Sequence, residues 1–184
     1  VDGANADDSS EAQRASGSEG HSTSGNRASP GDSRTKSGDA ESVPRERRAV
    51  VAKRVDAGDA DLTEITQLAA AAGYEVVGEL SQTRTEDAAF MFGEGKVAEL
   101  RDLVRRTDAG AVIIDNDVGP YQTFNIGGKL AEGVEVIDRF TLILEIFGQR
   151  ANTRKAQLQV ELAELRYELP RAEAKASLAK RDER

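Results

Sequence analysis

Cysteine and tryptophan are absent from this 184-residue chain. Without cysteine there is no disulfide framework and no thiolate metal site. The one histidine, His21, lies among small polar residues and has no ligand set or nucleophile to serve. Aromatic residues make up 4% of the chain. No run of about 18 apolar residues exists, so no segment reads as a membrane-spanning helix. The first 30 or so residues lack the apolar core of a signal peptide. The expectation from these absences is a soluble, cytoplasmic protein with no membrane partner.

Large apolar side chains are also missing from residues 1–47, where Val1 and Val43 are the exceptions. Such a stretch buries too little apolar surface to offset its chain entropy, and the expectation is a disordered acidic, Ser-Gly-rich tail. Acidic residues (33) exceed basic ones (25), for a net charge of -8. That balance argues against DNA and against non-specific nucleic-acid binding, while leaving RNA contact through a local basic patch open. An acidic, Lys-poor, Ala-rich composition points to a halophilic source. The chain starts at Val1 and its last residues carry a helical pattern, so a piece of a longer protein is expected.

From residue 48 the texture changes. Arg48 to Val55 is a short β-branched run and reads as a strand. Asp61-Leu-Thr-Glu64 has capping-box spacing. Leu62, Ile65, Leu68, Ala69 and Ala72 then repeat at helical spacing, with Gly73 placed as a C-terminal cap. Glu75 to Leu80 is a second strand, followed by a polar loop from Ser81 to about Phe92. Gly93 opens a helix carrying Val97, Leu100, Leu103 and Val104 on one face. Ala111 to Asp115 is a nearly all-apolar strand, as expected of one buried on both faces. Pro120 suits the first turn of a third helix, which contains Gly127 and Gly128. Val134 to Asp138 is a fourth strand, and Thr141 to Phe147 a short apolar helix. Strands alternating with helices predict an α/β fold: a four-stranded, mostly parallel sheet flanked by helices over 48–150. Right-handed crossovers limit the topology without giving the strand order.

Residues 151–184 differ. Leu158, Leu162, Leu165 and Leu169 fall at spacings of four, three and four, the seam of a helix that pairs with another helix. The segment reads as a long helix, the first arm of a helical hairpin. Pro170 is expected to kink it or to start a second helical stretch.

Candidate sites follow from residue chemistry. Gly93, Gly95 and Lys96 join two glycines to a helix start, where free N–H groups and the dipole favour an anion, RNA phosphate ahead of a nucleotide. The plainer reading is a turn before a helix. A P-loop needs Gly-x-x-x-x-Gly-Lys-Ser/Thr, and neither Gly93–Lys96 nor Gly127–Lys129 has that spacing or hydroxyl. No catalytic residues are assigned. Asp115, Asp117 and Asp138 lie at strand ends, where α/β sheets bind ligands. Magnesium there is the lesser reading. The greater is that Asp117 and Asp138 start helices, and no metal site is assigned. Arg139, Arg150, Arg154, Lys155, Arg166 and Arg171 make the base of the hairpin basic, suited to RNA phosphate contact or simply to a solvated face. Tyr121 or Tyr167 offers a ring for an exposed base, with core packing as the alternative.

Three stretches resemble a known family in order and spacing. They are Gly93-Glu-Gly-Lys-Val-Ala-Glu-Leu100, Asp115-Asn-Asp-Val-Gly-Pro-Tyr-Gln-Thr-Phe-Asn-Ile126, and Val136-Ile-Asp-Arg-Phe-Thr-Leu-Ile-Leu-Glu-Ile-Phe-Gly-Gln-Arg-Ala-Asn-Thr-Arg154. The last runs on through Gln157-Leu-Gln-Val-Glu-Leu-Ala-Glu-Leu-Arg-Tyr-Glu-Leu-Pro-Arg171. Over residues 48–171 the chain resembles the amino-terminal domain of HflX-type ribosome-associated GTPases. It departs from the usual pattern at Ala156-Gln157, where Gly-Lys is common, and at Phe140, where Asp-Arg is usually followed by Thr. The resemblance implies a parallel α/β subdomain plus a helical hairpin, followed in the intact protein by a P-loop GTPase domain that holds GTP and magnesium. It also implies binding to the large ribosomal subunit and its RNA, and action on stalled or idle ribosomes. An archaeal source fits the composition. Alone, the chain carries no cofactor and is expected to be inactive as a GTPase. Two other readings stay open: a stand-alone interaction module pairing through its leucine seam, and a weak nucleotide-binding domain using the Gly93–Lys96 loop.

Overall fold

The structure, a computed structural model, describes residues 43–182. The tail expected over 1–47 therefore lies mostly outside the described residues. Of its end, Arg45–Arg47 form one 3-10 turn. Arg47 reaches the Glu145 carboxylate at 2.7 Å and stacks on the Tyr74 ring.

Four strands and five helices follow: β1 (Arg48–Val55), α1 (Thr63–Ala71), β2 (Glu75–Thr83), α2 (Glu94–Thr107), β3 (Ala111–Ile114), α3 (Pro120–Lys129), β4 (Glu135–Asp138), α4 (Arg139–Arg150) and α5 (Arg154–Asp182). β2 runs three residues beyond Leu80, because Ser81, Gln82 and Thr83 keep pairing with Lys53, Arg54 and Val55. Polarity there marks an exposed edge strand rather than a loop. Leu62, not Asp61, takes the N-cap of α1, and Asp61 one residue earlier accepts from the Thr63 N–H at 2.8 Å. That bond holds its carboxyl below the ordinary carboxylate range. Glu64 does not turn back to complete a capping box and instead binds Arg139. Gly73 ends the helix in the left-handed region (φ +88°), which a side chain would strain.

All strands are parallel, in the order β2-β1-β3-β4. The alternation within β1 sorts its neighbours between two cores. Ala49 and Val51 face Ile65 and Ala69 of α1 and Leu142 and Ile146 of α4. Val50 and Ala52 face Val97, Leu100 and Val104 of α2 and Ile126 of α3. β3 is buried at every residue, as its apolar run predicts.

α5 is one continuous helix through Pro170, neither broken nor restarted there. It folds back along α4 and goes on to pack against α3. Its inward stripe is Ala156, Val160, Ala163, Tyr167, Arg171, Ala174 and Leu178, all half-buried. The leucine seam occupies the opposite face, with Leu158, Leu162, Leu165 and Leu169 between 46% and 60% exposed. At 100° per residue both stripes fit on one helix because they stand half a turn apart.

Candidate functional site

In a parallel sheet of this order, the connections leave β1 and β3 in opposite directions, and the crevice between their C-terminal ends is where ligands bind. Here the protein fills it. Asn116, just past β3, accepts from the Arg54 N–H at 2.8 Å and donates to the Arg54 carbonyl at 2.9 Å. The Arg54 side chain is 9% exposed and bonds Asp56 (2.6 Å), the Arg84 carbonyl (2.8 Å) and the Met91 sulfur (3.3 Å). Met91 is held at φ +65°, inside a tight loop closed by paired Asp87 and Met91 backbone bonds. Gln122 and Asn125 of α3 pin that loop by donating to the Asp87 and Ala89 carbonyls. The polar stretch after β2 is thus a plug over the sheet.

The two strand-end carboxylates that are buried are both engaged by cations. Asp115 Oδ1 accepts from Arg139 at 2.6 Å. The Lys53 ammonium lies 2.7 Å from Asp115 Oδ2 but off the direction of a hydrogen bond, so charge alone holds that oxygen. Arg139 also grips Glu64 at 2.5 Å, and these two carboxylates, Glu64 foremost, raise its pKa. Asp138 caps α4 through Oδ1, accepting from the Thr141 N–H at 2.8 Å. Its Oδ2 accepts from Arg171 at 2.6 Å and from the Tyr167 hydroxyl. Burial first, and then Asp138, raise the Tyr167 pKa above the usual phenol value. No three carboxylates or histidines gather to hold a metal among the described residues. Asp117 does not start α3, contrary to the expectation for it. Gly119 takes the N-cap, its N–H donating to the Gln122 side chain at 2.9 Å, and Asp117 is left exposed.

Of the anion-loop candidates, Gly93 is the N-cap of α2. Its N–H is already given to Gln82 at 2.9 Å, and a Cβ there would collide with the Arg84 guanidinium. Gly95 faces open space, and Lys96 pairs with Glu99 at 2.6 Å. The three residues therefore adjoin at one helix start, with part of their binding capacity in use.

The six basic candidates divide. Arg139 and Arg171 are committed to Asp115, Glu64 and Asp138. Arg171 also donates to the Val118 carbonyl at 2.8 Å. Arg150, Arg154, Lys155 and Arg166 are exposed and make no ion pair among the described residues. The first three cluster at the turn between α4 and α5.

A crevice of about 300 Å3 opens between the β3–α3 loop and α4, lined by Asn116, Asp117, Arg139, Phe140, Ile143 and Tyr167. The Phe140 and Tyr167 rings meet at 4.3 Å, and the Arg171 guanidinium lies 3.6 Å from the Tyr167 ring on α5. Tyr167 therefore packs and bonds internally, whereas Phe140 remains 44% exposed. Tyr121, outside this crevice, is 51% exposed. Phase along α4 gives no signal for its exposure: Leu142 and Ile146 lie on another face, but the buried Leu144 stands four residues on, on the face of Phe140.

Residues 59–148 match the family described as GTP-binding GTPase N-terminal, and residues 150–184 match the GTP-binding GTPase middle region. The chain is 48% identical over 136 residues to GTPase HflX of Thermofilum pendens, covering 73% of this chain and 32% of that protein. It is 42% identical over 107 residues to GTPase HflX of Thermococcus kodakarensis, covering 58% and 24%. A GTP-binding protein from the hyperthermophilic archaeon Sulfolobus solfataricus, solved with GDP, superposes with a TM-score of 0.56 at 26% identity, covering 71% of this chain and 40% of that one. The chain thus spans about a third or less of the length of these curated relatives. Together the two family matches run from residue 59, just past β1, to the end of the chain, and with these relatives they show that the chain belongs to the HflX family, of which it carries the amino-terminal region.

Proposed function

We propose that this chain is the ribosome-binding module of an HflX-like GTP-binding protein, cytoplasmic and directed at the large ribosomal subunit and its RNA. The observation that carries this reading is the division among the basic residues. Arg150, Arg154, Lys155 and Arg166 are exposed and make no ion pair among the described residues, beside an acidic body, while Arg139 and Arg171 are paired with carboxylates within the fold. Arg and Lys contacts to phosphate position a protein on RNA without reading its sequence. GTP and magnesium belong, on this proposal, to a P-loop domain of the intact protein. There the hydrolysis of GTP drives action on stalled or idle ribosomes, and a second helical arm covers the leucine stripe.

Co-sedimentation with isolated large subunits over a salt series tests the reading. Replacing Arg150, Arg154, Lys155 and Arg166 by Ala lowers the affinity and flattens its salt dependence, by roughly one unit of slope for each phosphate that is no longer neutralised. Lys96→Ala weakens binding by a smaller factor, since Glu99 already holds that ammonium. No binding by the wild-type chain at any salt concentration removes the proposal.

The bare leucine stripe supports a second reading, an interaction module that pairs with another chain. Sedimentation equilibrium separates the two. A concentration-dependent dimer abolished by Leu162→Lys favours pairing, and a monomer favours the ribosomal module.

A further inference from the structure

The crevice beside Phe140 has no part in the phosphate contacts of the basic residues. We infer that it is a nucleobase site, and that the base it takes is guanine. Its walls supply the stacking surface. Phe140 presents an apolar ring with one face supported by Tyr167 at 4.3 Å and with 44% of its surface open. Tyr167 is itself fixed, by its bond to Asp138 and by Arg171 at 3.6 Å from its ring. A supported, immobile ring loses little entropy when a base stacks on it, and such stacking tolerates every base. Ile143 adds an apolar wall.

The polar lining supplies the selection. Three strand-end or loop carboxylates lie in this region, and they are not equivalent. Asp115 and Asp138 are buried and held by Lys53, Arg139 and Arg171. Asp117 is exposed on the crevice wall, and no cation or N–H engages it among the described residues. A carboxylate accepts only, in pairs. On its Watson–Crick edge guanine offers two adjacent donors, N1–H and the N2 amino group, whereas adenine offers one donor beside an acceptor. Cytosine and uracil likewise present an acceptor that a carboxylate repels.

The inference rests on the RNA-binding reading for its ligand's source, an unpaired guanine in RNA, and a free guanine nucleotide is the other source of the same chemistry. Fluorescence anisotropy with a labelled single-stranded oligouridine carrying one central guanine, or one central adenine, measures the preference. The guanine oligonucleotide is expected to bind about tenfold tighter, as one bidentate base contact confers. Asp117→Asn should erase the preference, Phe140→Ala should weaken both complexes, and Phe140→Trp should restore them. Circular dichroism of each variant separates misfolding from loss of the site. Equal binding of the two oligonucleotides, or a preference that survives Asp117→Asn, overturns the inference. GMP competing as well as the oligonucleotide identifies a free nucleotide as the ligand, and GMP competing only weakly identifies RNA. Large-subunit co-sedimentation of the wild type keeps the two readings apart. Co-sedimentation without guanine preference sinks the crevice alone, and guanine preference without co-sedimentation sinks the ribosomal module alone.

Discussion

The α/β body and α5 bury apolar side chains to very different ends. In the body, every strand-facing position of α1, α2 and α4 meets the sheet, and residues such as Ile113 and Leu142 are fully buried. In α5, half of the apolar surface seats the helix on α3 and α4, while four leucines on the opposite face remain bare. The body is therefore satisfied within itself, whereas α5 has one surface for the fold and one to spare. Apolar content alone does not separate the two. Phase does, because a second stripe half a turn from the first cannot reach the same neighbour.

The joint between the regions is Asp138, and its loss should have the largest effect. Asp138→Ala removes the α4 cap and leaves Arg171 and Tyr167 without their shared acceptor. Breaking a buried charge pair from one side costs about 3–5 kcal/mol, and urea unfolding should register most of it. If that variant unfolds as the wild type does, α5 is not anchored through this carboxylate.

Next in size is the contrast between leucines. Leu142→Ala should cost about 2–5 kcal/mol by the cavity it leaves in the body. Leu165→Ala, at a site 58% exposed, should change stability by no more than about 0.5 kcal/mol. Similar losses for both would mean that the outer stripe is covered in solution, and the contrast between body and helix would fail.

The smallest effect concerns the joint and pH. Tyr167→Phe removes two hydrogen bonds, the one the hydroxyl donates to Asp138 and the one it accepts from Arg171, each worth about 1 kcal/mol. The raised Tyr167 pKa means that the folded chain binds this proton more tightly than the unfolded one. Its contribution is complete below the ordinary tyrosine value of about 10 and is lost as pH rises beyond it. Tyr74, raised by burial and then by Glu145, adds a decline of the same sign. Stability measured from about pH 8 to 11, across that ordinary value, should thus fall less steeply in Tyr167→Phe than in the wild type.

Much of this architecture is visible along the chain, because its causes are local. The apolar run Ala111–Ile114, the spacing of Val97, Leu100 and Val104, Gly73 after α1 and Asp138 before α4 each specify an element from residues within a few positions. The candidate site was less visible. Asp117 and Asp138 read alike as helix starts, yet Gly119 took the cap at α3 because Gln122 closes back on it. Gly93 and Lys96 read as a turn before a helix or as an anion loop, and only the structure shows Gln82 on the Gly93 N–H and Glu99 beside the Lys96 ammonium. Arg139 and Arg171 were indistinguishable from their exposed neighbours until their carboxylates came into view.

Sequence by itself determined the elements, their alternation, the leucine seam of α5 and the family. Short-range spacing and backbone preference act before any distant contact forms. Tertiary structure alone decided the strand order, the plugging of the β1/β3 crevice by Arg54 and Asn116, and which charges remain free. Those outcomes depend on partners tens of residues apart, such as Asp138 with Arg171 or Asp115 with Lys53, that only the folded chain brings within hydrogen-bond or ion-pair distance.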